Sequence, residues 1–139
     1  MSVLKKYLII STASFLCLLT ACSVAVPDIV ENTATGWHTI TAEKALTIME
    51  ESNTFILLDV RTEEEFNDSR IEGAILIPDF EIRERAEEEL PDKDVTILIY
   101  CRSGRRSASA AETLASLGYT NVYDFGGIID WPYETVSGR

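Results

Sequence analysis

From Trp37 onward, short apolar runs alternate with stretches in which apolar residues recur every three or four positions. The runs Trp37–Ile40, 55–60, 74–77, 95–100 and 122–125 have the length of strands. Phe55-Ile56-Leu57-Leu58-Asp59-Val60 is apolar on both faces, as a parallel strand covered by helices must be. Val95-Thr96-Ile97-Leu98-Ile99-Tyr100 is the most apolar run and is predicted to be central. Between these runs the spacing predicts helices. Ala42–Glu51 follows a Thr41 cap and carries Ala45, Leu46 and Met49 on one face. Residues 62–66 form a short turn whose acids suit a helix N-terminus. An acidic helix over 80–90 is ended by Pro91. A small-residue helix over 107–117 places Ala108, Ala111, Leu114 and Ala115 on one side, with Gly118 as its stop. Strands alternating with helices predict one α/β domain with a mainly parallel sheet over 37–139. There is no internal repeat and no second domain.

The first 36 residues stand outside that pattern. Lys5 and Lys6 precede a mainly apolar stretch over 7–19, shorter than the ~20 residues that span a bilayer. The stretch ends in Leu19-Thr20-Ala21-Cys22, which resembles the lipobox of bacterial lipoproteins. That resemblance implies a signal peptide over 1–21, lipid such as palmitate on Cys22, and an extracytoplasmic domain anchored to the cell membrane. Residues 23–36 are polar and aperiodic and read as a flexible tether, with a coil span of roughly 20 Å.

Composition then narrows the chemistry. The 139-residue chain is 46% hydrophobic and 25% charged, ordinary for a globular domain. Its formal charge of −11 argues against nucleic acid as a partner. Cleavage before Cys22 would remove Lys5 and Lys6 and leave a formal −13. It would also remove Cys17 and commit Cys22 to lipid. Cys101 then remains as the free thiol, better explained by reactivity than by packing.

Cys101-Arg102-Ser103-Gly104-Arg105-Arg106-Ser107 joins the central strand to the small-residue helix. A strand feeding a tight glycine-containing turn into a helix aims several backbone N–H groups at one point. A cysteine at the start of such a turn is favoured as thiolate, and an anion can sit beside it. Arg102, Arg105 and Arg106 form a positive island in an acidic chain. Cysteine-dependent phosphatases have a similar loop, with an arginine six positions after the cysteine. Here that position is Ser107, so the tighter loop suits a sulfur atom better than a phosphoryl group. Asp59 and Arg61, at the end of the second strand, are expected to pair with each other or with loop backbone and to support the site.

In this order the pieces resemble the single-domain rhodanese family. They are Asp59-Val60-Arg61, Glu64-Glu65-Phe66, Ile71-Glu72-Gly73-Ala74, the Cys101–Ser107 loop, Gly118-Tyr119, Val122-Tyr123, and Gly126-Gly127 before Trp131. Arg70 stands where family members often carry histidine. The resemblance implies an α/β fold with a five-stranded parallel sheet and helices on both faces. It implies sulfur transfer through a Cys101 persulfide, with Arg102, Ser103, Gly104, Arg105, Arg106 and Ser107 binding the donor. The partners implied are a small anionic sulfur donor and a thiol acceptor, either a small molecule or a thioredoxin-like protein. No metal and no organic cofactor is implied. A non-catalytic binding or sulfide-sensing module is the alternative, with phosphatase or oxyanion reductase chemistry behind it.

Overall fold

The computed structural model describes residues 29–32 and 36–138. At the centre of its sheet runs β5 (Thr96–Cys101), in which Ile97, Leu98, Ile99 and Tyr100 have no exposed surface. Burying each such side chain contributes about 1.5–3 kcal/mol, so this run goes to the position covered on both faces. On one side it pairs in parallel with β3 (Phe55–Asp59), which in turn pairs with the two-residue β4 (Ile75–Leu76). On the other side it pairs with β6 (Val122–Gly127), which pairs with β2 (Trp37–Ile40). These are the five parallel strands expected.

A sixth strand was not expected. β1 (Ile29–Asn32) adds to β2 in antiparallel register, Ile29 opposite Ile40 and Asn32 opposite Trp37, giving the order β1-β2-β6-β5-β3-β4. The tether read over 23–36 is therefore corrected at Ile29–Asn32. Without this strand, the N–H and C=O groups on that edge of β2 would lie open. The expected signal segment, the lipidation of Cys22 and residues 23–28 and 33–35 of the tether lie outside the described residues.

The helices cover both faces. α1 (Ala42–Glu51) is capped by Thr41, whose Oγ1 accepts from the Lys44 N–H at 3.2 Å. It buries Ala45 against Leu57, Leu98, Tyr100, Phe125 and Trp131. On the opposite face α3 (Ile82–Glu89) and α4 (Arg105–Ser116) bury Ile82, Ala86, Ala110, Ala111 and Leu114 against Leu58, Ile97, Ile99 and Val122. The small residues of α4 let it lie close to the sheet. The Gly118 turn, at φ +93°, ends the run by letting the Tyr119 N–H reach back to the Leu114 carbonyl. The helix expected over 80–90 begins at Ile82, because Asp79–Glu81 winds as a 3-10 turn after Pro78 and leaves Phe80 exposed.

The connections place the site. From β3 the chain moves outward through α2 (Glu63–Asp68) to β4, whereas from β5 it moves through α4 to β6 on the other side. Adjacent strands whose connections part in this way leave a crevice at their carboxyl ends. The segments opening there are Asp59-Val60-Arg61 and the Cys101 loop.

Candidate active site

Cys101 is the last residue of β5 and is 1% exposed. The register of β5 against β6 shifts between Ile99 and Cys101, which brings Cys101 opposite Gly127. Gly104, at φ +93°, turns the chain into α4 and points its N–H at the Cys101 sulfur, 3.1 Å away. Glycine adopts this conformation without the steric cost that a side chain would bring. Burial of the thiol raises its pKa. The Ser107 hydroxyl and the N–H groups of Ser107, Ser103 and Gly104 overcome that, and the net direction is downward. The geometry therefore favours a thiolate. Among the described residues, no three His, Cys, Asp or Glu side chains converge as metal ligands would.

Over the loop that follows Cys101 lies a shallow depression of about 370 Å³, lined by Glu65, Arg102, Ser103, Arg105 and Arg106. Arg102 and Arg105 are exposed, and among the described residues neither forms an ion pair. They are the loop cations open to an incoming anion. Arg106 differs, because its two terminal nitrogens donate to the two Glu65 carboxylate oxygens at 2.8 Å each. Ser107, expected on the donor-binding surface, is fully buried and faces the inside of the loop. Its hydroxyl lies 3.0 Å from the Gly104 carbonyl oxygen and 3.3 Å from that of Gly126. A second depression, about 410 Å³, adjoins the first at Glu65 and Arg102 and extends past Arg61, Ile129, Trp131 and Tyr133. A third, about 490 Å³, lies between α2 and α3 and includes no residue of the cysteine loop.

Asp59 and Arg61 pair with each other. The Arg61 backbone N–H and Nε donate to Asp59 Oδ1 at 2.9 and 3.0 Å, and Nη2 donates to Oδ2 at 2.6 Å. Nη2 also donates to the Ser69 carbonyl at 2.6 Å, and the guanidinium lies over the Tyr100 ring. Both side chains are buried, at 5% and 0% exposure. Their bonds tie the end of β3 to the chain leaving α2, the helix that presents Glu65 to the loop. Arg70, in the position where histidine is frequent, bonds outward instead. It pairs its backbone with Val136 and lays its guanidinium over Phe66.

Two residues of the site carried no assigned role in the sequence reading. Glu65 is the N3 position of a capping box. Its side chain accepts from the Thr62 N–H at 3.0 Å while the Glu65 N–H donates to Thr62 Oγ1. The Thr-x-x-Glu spacing was the available signal. Asp124 is the one charged residue within β6 and is 4% exposed. A lone acid in an otherwise apolar strand was its signal.

The profile of the Rhodanese-like domain matches residues 41–132. Thiosulfate sulfurtransferase PspE of Escherichia coli is 41% identical over 81 residues, which cover 58% of this chain and 78% of that protein. Thiosulfate sulfurtransferase GlpE of Actinobacillus succinogenes is 36% identical over 105 residues, 71% of this chain and 92% of that protein. Among solved structures, a rhodanese with anions from E. coli matches at 40% identity with a TM-score of 0.56, covering 60% of this chain and 98% of that one. A rhodanese-like domain protein from Staphylococcus aureus matches at 30% identity with a TM-score of 0.60, covering 73% of this chain and 98% of that one. With its five parallel strands and a cysteine loop at the end of the central one, this chain belongs to the rhodanese-like domain family.

Proposed function

We propose that this rhodanese-type sulfurtransferase carries sulfane sulfur on Cys101, taking it from a small anionic donor such as thiosulfate. The observation that carries the reading is one buried sulfur that accepts from the Gly104 N–H, at the start of a loop whose surface depression holds Arg102 and Arg105, which form no ion pair among the described residues. Arg102 and Arg105 draw the dianion in, and the Cys101 thiolate attacks its outer sulfur. A Cys101–sulfur bond forms as the donor's sulfur–sulfur bond breaks, and sulfite leaves with the bonding pair. No proton moves in that step, which suits a site with no histidine beside the sulfur. The terminal sulfur of the persulfide carries the negative charge, and the N–H groups of Ser103, Gly104, Arg105 and Arg106 stabilise it. An acceptor thiolate, small or on a thioredoxin-like protein, then attacks that sulfur and leaves Cys101 as thiolate again.

The test is intact-mass measurement after incubation with thiosulfate and with small persulfide donors. One added sulfur atom is expected, and its absence in Cys101→Ser. Sulfur retained by that variant would overturn the assignment. Thiocyanate formation from thiosulfate and cyanide measures turnover, and a protein that gains sulfur without turnover would be a binding module instead.

We also propose that the domain is held to the extracytoplasmic face of a membrane by lipid on Cys22. The support is the Leu19-Thr20-Ala21-Cys22 sequence behind its charged and apolar lead. Labelled palmitate incorporated into the wild type but not into Cys22→Ala is the expected result. Equal label in both would remove the proposal.

A further inference from the structure

The chain leaving β5 stands between the chains leaving β6 and β4, because these strands run in parallel in the order β6-β5-β3-β4. After β5 comes the Cys101 loop. After β6 comes a 3-10 turn over Ile128–Asp130, and after β4, past Pro78, the turn over Asp79–Glu81. Both turns are held to the loop region. The Ile129 N–H donates to the Arg102 carbonyl at 3.3 Å, and the Asp79–Glu81 turn packs against α4, the helix that opens from the loop. Each turn presents an apolar side chain to solvent. Phe80 is 71% exposed and Ile129 63%, the two most exposed large hydrophobic residues among those described. Tyr133, also exposed, stands edge-on to Trp131. With Ile129 it lines the depression that meets the loop's own at Glu65 and Arg102. Single exposed hydrophobic residues scattered over a surface carry no meaning. These are not scattered, since they flank the reactive loop on both sides.

We propose that Phe80, Ile129 and Tyr133 form a docking face for a protein acceptor of sulfur, whose thiol lies among apolar residues with a carboxylate close by. The inference rests on the sulfur-transfer reading for the reaction and adds the class of partner that takes the sulfur. A small anionic donor uses the loop cations and N–H groups and gains nothing from the apolar surface beyond them. Aromatic and arginine side chains are the usual anchors of protein–protein interfaces. Charge then selects among protein partners. Arg102 and Arg105 lie between the anchors and form no ion pair among the described residues. A second copy docking by the same face would set these arginines against their own counterparts, which like-charge repulsion disfavours. An acceptor with a carboxylate beside its thiol is drawn to them once sulfite has left. Docking brings its thiolate to the outer sulfur of the persulfide. A bond forms between those two sulfurs as the bond to Cys101 Sγ breaks, and Sγ leaves as thiolate with the bonding pair.

The experiment follows discharge of the persulfidated full chain by reduced thioredoxin, a protein dithiol, and by dithiothreitol, a small one. Cys101 is loaded with thiosulfate and, separately, with polysulfide, which persulfidates a thiolate chemically. The remaining persulfide is read by intact mass. Ile129→Ser and Phe80→Ser should each lower the rate with thioredoxin about five- to thirtyfold and leave that with dithiothreitol within about twofold. Tyr133→Ser should act in the same direction. Phe80 and Ile129 lie mostly in solvent, so melting temperatures of their variants should stay near that of the wild type. Equal losses toward both acceptors would mean that the residues act on the loop, and would overturn the proposal. Unchanged rates toward both overturn it as well. Loss of cosedimentation with phosphatidylglycerol vesicles at unchanged discharge gives the face to a lipid surface instead, and loss of a wild-type dimer gives it to a second copy. Either result removes the acceptor. If the polysulfide-loaded protein shows the expected losses while thiosulfate adds no sulfur, the docking face stands and the donor reading falls.

Discussion

Arg106 reaches out of the cysteine loop to Glu65, 41 positions earlier, and closes a two-pronged ion pair with both contacts at 2.8 Å. The pair does two things. It removes one of three loop cations from the charge presented to an incoming anion, and it fastens α2 to the loop. Its side chains are 21% and 24% exposed, so water screens it only in part. Glu65→Gln should lower stability by about 1 kcal/mol, the upper end for a surface pair, because the geometry is bidentate. Urea unfolding would measure the loss. The side-chain bond to Arg106 outweighs partial burial and, with the Thr62 bonds, holds the Glu65 pKa down to about 2. A folded pKa below the unfolded value means that the unfolded chain binds more protons in the interval. The contribution is thus complete above the unfolded carboxylate value of ~4.3 and fades as pH falls toward 2. The gap between wild type and Glu65→Gln should close over that window and stay constant above it.

Gly127 forms the floor under the loop. A Cβ on it would stand 2.4 Å from the Arg102 carbonyl oxygen and 2.6 Å from the Ser103 Cα, both backbone atoms. Gly127→Ala must lift the loop to be accommodated, at about 1–3 kcal/mol. It should also reduce sulfur transfer at least tenfold by moving the N–H groups off the sulfur. Gly126→Ala is the control. At φ +92° it is strained by about 1–2 kcal/mol, yet its Cβ meets nothing within 4 Å. Thermal melts should show both variants weakened, and thiosulfate turnover should fall much further in Gly127→Ala. Equal turnover would show that the floor does not set the loop.

The Asp59–Arg61 pair is buried at both ends, so removing one partner strands the other charge out of water. Asp59→Ala should cost about 3–5 kcal/mol, enough to threaten folding of a domain this size. A loss below about 1 kcal/mol in a urea titration would mean that Arg61 finds new partners beyond Ser69 and Tyr100.

Much of this was legible in the residues, and the exceptions share a cause. Ile97 to Tyr100 named the central strand because a run apolar on both faces has only one environment open to it. Cys101 and Gly104 named the turn by local chemistry alone. Glu65 was harder, because Glu63, Glu64 and Glu65 are equivalent as letters. Only the helical angle fixed by the Thr62 cap selects the one that meets Arg106. Ser107 was expected to bind the donor because it lies in the loop sequence, but the first turn of α4 rolls its hydroxyl inward. The strand at Ile29 was hidden for a related reason, its partner being the open edge of β2.

That strand has a consequence of orientation. β1 is antiparallel, so its first residue, Ile29, stands beside Ile40 at the carboxyl end of β2. The carboxyl ends of the parallel strands form the rim from which the Cys101 loop rises. The polypeptide thus enters the domain on the side that bears the thiol. Under the proposed anchor at Cys22, the domain would be moored by its reactive rim.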